Sequence, residues 1–171
     1  GLSGVLVFTL IGILATIIMQ SSHATLVLVI TALSVSQITY GNALALVIGA
    51  NVGTTITAIM GSITSNTNGK RLALADVLFK VAAGIVFIIL MNPIMDLVSI
   101  IATSLGLAED DYTLKLAIFH TIFNVSGVII MVPMINQLIN LVSSLVPERK
   151  VHTTEPIYLN GSALELPDTA I

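Results

Sequence analysis

Gln20-Ser21-Ser22-His23-Ala24-Thr25 lies in the middle of an apolar run that begins at Gly1 and continues to about Leu33. As one straight helix the run would be roughly 50 Å long, at about 1.5 Å per residue, against a hydrocarbon core of about 30 Å. An amide and several hydroxyls at that depth find no hydrogen-bond partner in lipid, so protein or water must satisfy them. A re-entrant hairpin or a broken helix each answers the problem. Both place polar chain ends inside a membrane, a construction used at substrate sites.

The rest of the chain fits a bilayer. Of its 171 residues 56% are hydrophobic and 9% charged, and the mean hydropathy is +1.05. A soluble domain carries about 25% charged residues. The net charge of −3 argues against a nucleic-acid partner. Without cysteine there is no disulfide framework and no thiolate metal site. Gly1 is not an initiator methionine and no basic segment precedes the first apolar run, so the stretch reads as part of a longer protein without a signal peptide.

Window reading gives five apolar segments. Gly1 to Met19 and Ala24 to Leu33 form the interrupted pair. Tyr40-Gly41-Asn42 marks a turn before a run from Ala43 to Met60, and Gly61 to Arg71 reads as a polar loop. Ala73 to Met91 and Leu114 to Val132 are each long enough to span, with Asp76 and Lys80 inside the first of them. Pro93 opens a helical pattern whose Asp96, Ser99 and Thr103 form one polar stripe, and Pro133 opens another with Asn136, Asn140, Ser143 and Ser144. Such helices tend to lie in the membrane plane.

Lys70-Arg71 and Arg149-Lys150 fall on one side if two single crossings separate them, with Glu109-Asp110-Asp111 opposite and Lys115 the exception. The positive-inside rule makes the basic side cytoplasmic. From Pro147 the apolar runs give way to charge and proline. The expected organisation is a transmembrane unit over 1–146 and a cytoplasmic tail or linker over 147–171.

Gly49-Ala50-Asn51-Val52-Gly53-Thr54-Thr55 is the second phrase that matters. Its paired glycines permit either a close helix contact or local unwinding. Unwinding exposes carbonyls that suit a cation, and Thr54 and Thr55 would start a half-helix whose N–H groups suit an anion. Alternatively the glycines pack helices and the threonines bond back to their own backbone. The expected discontinuity is at Ala50 to Gly53, close in space to the one at Met19 to His23.

Gln20-Ser21-Ser22 with Ala24-Thr25, followed by Gly49 to Thr55, resembles one repeat of the sodium–phosphate cotransporter family, the type II transporters and their bacterial relatives. The likeness extends from Gly1 to about Val132. Lys70-Arg71 through Phe79 and Phe119-His120 through Phe123-Asn124 resemble the ends of that family's second repeat. Pro156 to Leu159, with Pro167 and Ala170, resembles the link to a PhoU-like helical domain.

The resemblance implies an all-α membrane protein, one half of an inverted-repeat transporter in a bacterial plasma membrane. It further implies phosphate as substrate, sodium as coupling ion, no other cofactor, and a first repeat as structural partner. On that reading Ser21, Ser22, Thr54 and Thr55 hold phosphate, while Gln20, Asn51 and Thr25 supply oxygens to sodium. His23 replaces a third serine of the family's phrase and lines the site. Asp76 and Lys80, at i and i+4, replace what are often His and Asn; an intrahelical ion pair and a place on a polar pathway are both open. His120 and Asn124, also i and i+4, suit a helix-to-helix hydrogen bond better than a metal. Neither phrase contains a basic residue, so sodium would supply the charge that compensates an anion.

The rival readings are a membrane scaffold or sensor with a vestigial site, and a transporter of another small anion. An enzyme is not expected, because the chain has no nucleophile elbow and no phosphate-loop lysine.

Overall fold

The computed structural model describes residues 2–148, and all the regular structure among them is helical. In chain order the helices are α1 (Leu2–Met19), α2 (Ser22–Ser34), α3 (Tyr40–Gly53), α4 (Thr55–Ser62), α5 (Thr67–Ile89), α6 (Met91–Ser104) and α7 (Tyr112–Leu145). Four stretches among the described residues are long and apolar enough to cross a membrane: α1, α3 with α4 as one span, α5 and α7. Leu2, Leu6, Leu10, Leu14 and Ile18, four residues apart on α1, are all exposed. In water such a stripe would be a liability; in lipid it meets its own kind.

Local chemistry fixes the helix starts. Ser21, Thr39, Asn66 and Asp111 each accept, through the side chain, the N–H three residues on, from Ala24, Asn42, Gly69 and Leu114. Each such cap contributes about 1 kcal/mol. The Thr39 cap makes Tyr40-Gly41-Asn42 the first turn of α3, not the turn its sequence suggests. The Asn66 cap likewise starts α5 early and puts Lys70 and Arg71 inside it, which shortens the expected Gly61–Arg71 loop to residues 63–66.

Two helix ends close the same way. At α6, Gly106 takes φ +75° while its N–H reaches the Thr103 carbonyl and that of Leu107 reaches Ala102. At α2, Ser36 takes φ 58° and the matching bonds run from Ser36 to Leu33 and from Gln37 to Ala32. Both are Schellman closures, and only the first has the glycine that suits the left-handed position.

The interrupted first run is a hairpin. Thr16 Oγ1 and Thr25 Oγ1 lie 2.9 Å apart. Nine residues of straight helix would separate their levels by about 13 Å, so the chain must reverse between them. Helix α3 then runs parallel to α1, since Thr9 meets Gly49, Gly12 meets Leu46, and Ile13 and Thr16 meet Gly53. Helix α5 is antiparallel to α3: Gly84 faces Ile48 and Val52, while Lys80 reaches Thr54. Helix α7 is antiparallel to α5, with Gly127 against Phe79 and Phe119 and Phe123 around Phe87. Tyr40 and Tyr112 pair at 5.3 Å between ring centroids, which places the starts of α3 and α7 at one end.

Helix α3 is the centre of the bundle, buried continuously from Ala43 to Asn51. Helix α6 buries Met91, Ile94, Val98 and Ala102 and leaves Asp96 and Thr103 outward, the stripe expected from Pro93 onward. Pro133 does not open a new helix: α7 runs through it for 34 residues. The proline removes one backbone donor but has no glycine or acidic turn residue beside it, and long apolar flanks keep the helix going.

Candidate functional site

At the hairpin tip the backbone leaves helical geometry at Gln20, whose φ of 51° is left-handed. Ser21, extended at φ −151°, caps α2 through its hydroxyl, 3.2 Å from the Ala24 nitrogen. Its carbonyl accepts the N–H of Thr25 at 3.1 Å. The N–H groups of Ser22 and His23, the Ser22 hydroxyl and the Gln20 amide make no hydrogen bond among the described residues. These are the orphan donors of a helix start, and with the dipole behind them they favour negative charge.

Thr25 lies one turn below, 2% exposed. Its hydroxyl is 3.1 Å from the Ser21 carbonyl and 2.9 Å from Thr16 Oγ1, so it ties the tip to α1. Thr16 in turn packs on Gly53, where an added Cβ would lie 2.8 Å from Thr16 Cβ and 2.7 Å from the Ile13 carbonyl. Through this contact the tip and the end of α3 are held together, as the two phrases require.

The second discontinuity is milder than its sequence suggests and falls at Thr54, beyond Ala50–Gly53. Thr54 keeps φ −64° and ψ −17°, close to a 3₁₀ turn, and its carbonyl accepts the Thr57 N–H at 3.2 Å. The glycines of this phrase serve close packing against α1, which keeps the segment helical. No run of free carbonyls opens there. Thr54 Oγ1 donates to the Asn51 carbonyl at 2.6 Å, the back-bond expected of a helical threonine. Asn51 is only 8% exposed and spends its amide nitrogen on the Val47 carbonyl at 3.1 Å, leaving Oδ1 as its free end. One repeat supplies only half of a site between two pseudo-symmetric halves, so the sequence predicts Gln20, Ser22 and Asn51 on a surface meant for the missing repeat. Gln20 is exposed and Ser22 half-buried, but Asn51 is buried within this chain. Thr55 is also buried, and its hydroxyl has no hydrogen bond among the described residues.

Two further helices reach these elements. On α5 the Lys80 Nζ donates to Thr54 Oγ1 at 2.9 Å and to both carboxylate oxygens of Asp76, 2.8 Å to Oδ1 and 3.0 Å to Oδ2. Thr54 is 14 residues, about 21 Å, into its span from Tyr40, so this ion pair lies inside the span. On α7 the His120 ring meets that of His23 edge-on at 6.3 Å between centroids, and Asn124 Nδ2 lies 3.2 Å from His120 Nε2. The i, i+4 spacing pairs Asn124 with His120 on its own helix, while His120 reaches the tip through its ring. Among the described residues no three metal-binding side chains gather.

The structure therefore brings the two phrases together and adds Lys80, Asp76 and His120. The contact of Lys80 with Thr54 is not predicted by the sequence, because neither phrase holds a basic residue and the contact crosses from α5 to α3–α4. The available signal was an ionisable pair in the middle of an apolar span.

The Na+/Pi-cotransporter family matches residues 3–109, from α1 through α6 and into the acidic connector. The "Putative inorganic phosphate export protein YjbB" of Salmonella typhimurium is 29% identical over 162 residues, 95% of this chain and 29% of the relative. The Escherichia coli protein of the same name is 34% identical over 84 residues, 49% of this chain and 16% of the relative. The chain thus spans less than a third of the curated relatives it matches. No solved structure matches it significantly. With the family match running through the hairpin, both phrases and the Asp76–Lys80 pair, the chain belongs to the Na+/Pi-cotransporter family.

Proposed function

We propose that this chain forms one repeat of a sodium-coupled inorganic phosphate transporter in the plasma membrane, completed in the whole protein by an inverted first repeat. The observation that carries the reading is the hairpin, whose reversal at Gln20–Ser21 aims the start of α2 into the bundle beside the end of α3. Phosphate meets the free N–H groups of that start and the Ser22 hydroxyl, with Ser21, Thr54 and Thr55 around it and His23 at the rim. Sodium, a hard cation, takes oxygens from Gln20 and Asn51, with Thr25 behind them.

The names of the relatives and of the family support phosphate as cargo. Arg71 Nε donates to the Val146 carbonyl at 2.9 Å, joining the basic start of α5 to the end of α7. That contact supports a cytoplasmic exit for the chain after α7; residues 149–171, Arg149 and Lys150 among them, lie outside the described residues.

The test is phosphate flux in vesicles reconstituted with the full-length protein, with a sodium gradient imposed from either side and choline as control. Flux that follows the sodium gradient supports the reading. Equal flux in choline removes sodium coupling, equal competition by sulfate removes phosphate specificity, and absence of flux in all conditions favours a scaffold or sensor.

A further inference from the structure

Lys80 has three ammonium donors, and three fixed oxygens meet them: Asp76 Oδ1 at 2.8 Å, Asp76 Oδ2 at 3.0 Å and Thr54 Oγ1 at 2.9 Å. The Thr54 hydroxyl gives its own proton to the Asn51 carbonyl at 2.6 Å, so it turns a lone pair toward the ammonium. An ordinary i, i+4 ion pair on one helix needs no partner elsewhere. This one is anchored across helices, at the single irregular residue between α3 and α4, and within a span where ionisable groups are expensive. The side chains are 27% and 28% exposed, so water alone does not account for their charges. The carboxylate and hydroxyl oxygens that meet Lys80 are also donors suited to a hard metal cation.

We propose that the Lys80 ammonium is a built-in cation at the α3–α4 joint, filling the oxygens of Asp76 and Thr54 that would otherwise hold a coupling sodium ion. Taken with the transport reading, on which its functional meaning rests, the joint needs no sodium of its own. Sodium coupling then stays with the Gln20 and Asn51 side-chain oxygens, which Lys80 does not touch, or falls to the other repeat.

Sodium binding to the purified full-length protein tests this directly. Bound sodium and sodium-specific thermal stabilisation are measured against choline at constant ionic strength for wild type, Lys80→Ala and Lys80→Gln. Removing the ammonium should vacate the oxygens: Lys80→Ala is expected to bind about one more sodium per chain than wild type and to gain a sodium-dependent rise in Tm. Methylammonium should displace that extra ion, and Lys80→Ala with Asp76→Asn should abolish it. The proposal is overturned if Lys80→Ala binds no more sodium than wild type, or if the extra ion survives loss of the Asp76 carboxylate. It is equally overturned if both neutral variants fail to fold while Lys80→Arg folds, since the charge is then a structural staple. Because the readout is ion binding, an extra sodium in Lys80→Ala alongside a wild type that moves no phosphate refutes the transport reading and leaves this one standing.

Discussion

Replacing Gln20 with glycine should make the protein more stable and less active. Gln20 holds φ 51° at the hairpin tip, where a side chain costs roughly 1–2 kcal/mol that glycine avoids. Glycine loses about 0.5–1 kcal/mol of this through its freer unfolded chain. Gln20 is exposed and makes no hydrogen bond among the described residues, so its removal strands no partner. The balance is a gain of about 0.5–1 kcal/mol, read as a higher midpoint in detergent-mediated unfolding of the full-length protein. If the Gln20 amide meets a charged ligand, losing that contact removes about 1.5–3 kcal/mol, or roughly 10- to 150-fold in affinity. The assay is phosphate flux over matched phosphate and sodium titrations. A variant that is stabilised and transports like wild type refutes the reasoning, because a strained residue with a dispensable side chain has no functional explanation. A variant that is destabilised refutes the backbone half of it.

Three further outcomes are expected. Ser22→Ala should weaken phosphate about 10-fold or more in flux titrations while leaving unfolding unchanged, since its hydroxyl has no partner among the described residues to strand. Gly53→Ala should cost about 1–3 kcal/mol or prevent folding, because the new methyl would press on the Ile13 carbonyl and Thr16; the yield and unfolding midpoint of the full-length variant check it. Ser36→Gly, outside the site, should stabilise by about 0.5–1 kcal/mol by relieving φ 58° at the end of α2, with flux unchanged.

Much of the fold was legible because lipid makes hydropathy a direct signal. The apolar runs mark the spans, and the polar phrase at Gln20 to Thr25 marks the reversal, which falls at Gln20–Ser21 inside the expected Met19–His23 window. The errors share a cause. Tyr40-Gly41-Asn42 and Gly61–Arg71 carry turn-type residues, yet Thr39 and Asn66 cap helices just before or within them, and a cap is a side-chain geometry that composition does not display. Pro133 punctuates a sequence but not a helix with long apolar flanks. The Gly49–Thr55 phrase left packing and unwinding open, and nothing local decides between them: the choice depends on Thr9, Ile13 and Thr16 on another helix. The sequence leaves Lys80 open between an ion pair and a polar pathway, and its contact with Thr54 is not legible for the same reason, since a neighbour 26 residues away in sequence is a property of the packing.

The glycine seam between α1 and α3 has a mechanical consequence. Side chains that interlock can change rotamers and let helices slide, but at Gly12, Gly49 and Gly53 main chain rests on main chain and has no such slack. The hairpin and α3 therefore move as one solid piece, with the tip carried on it like a fixed tooth. On the transport reading, rocking that opens a route for cargo takes place between this piece and α5 and α7. The contacts at that boundary include Gly84 against Ile48 and Val52, the Lys80–Thr54 hydrogen bond and the His23–His120 ring pair, none of which belongs to the seam.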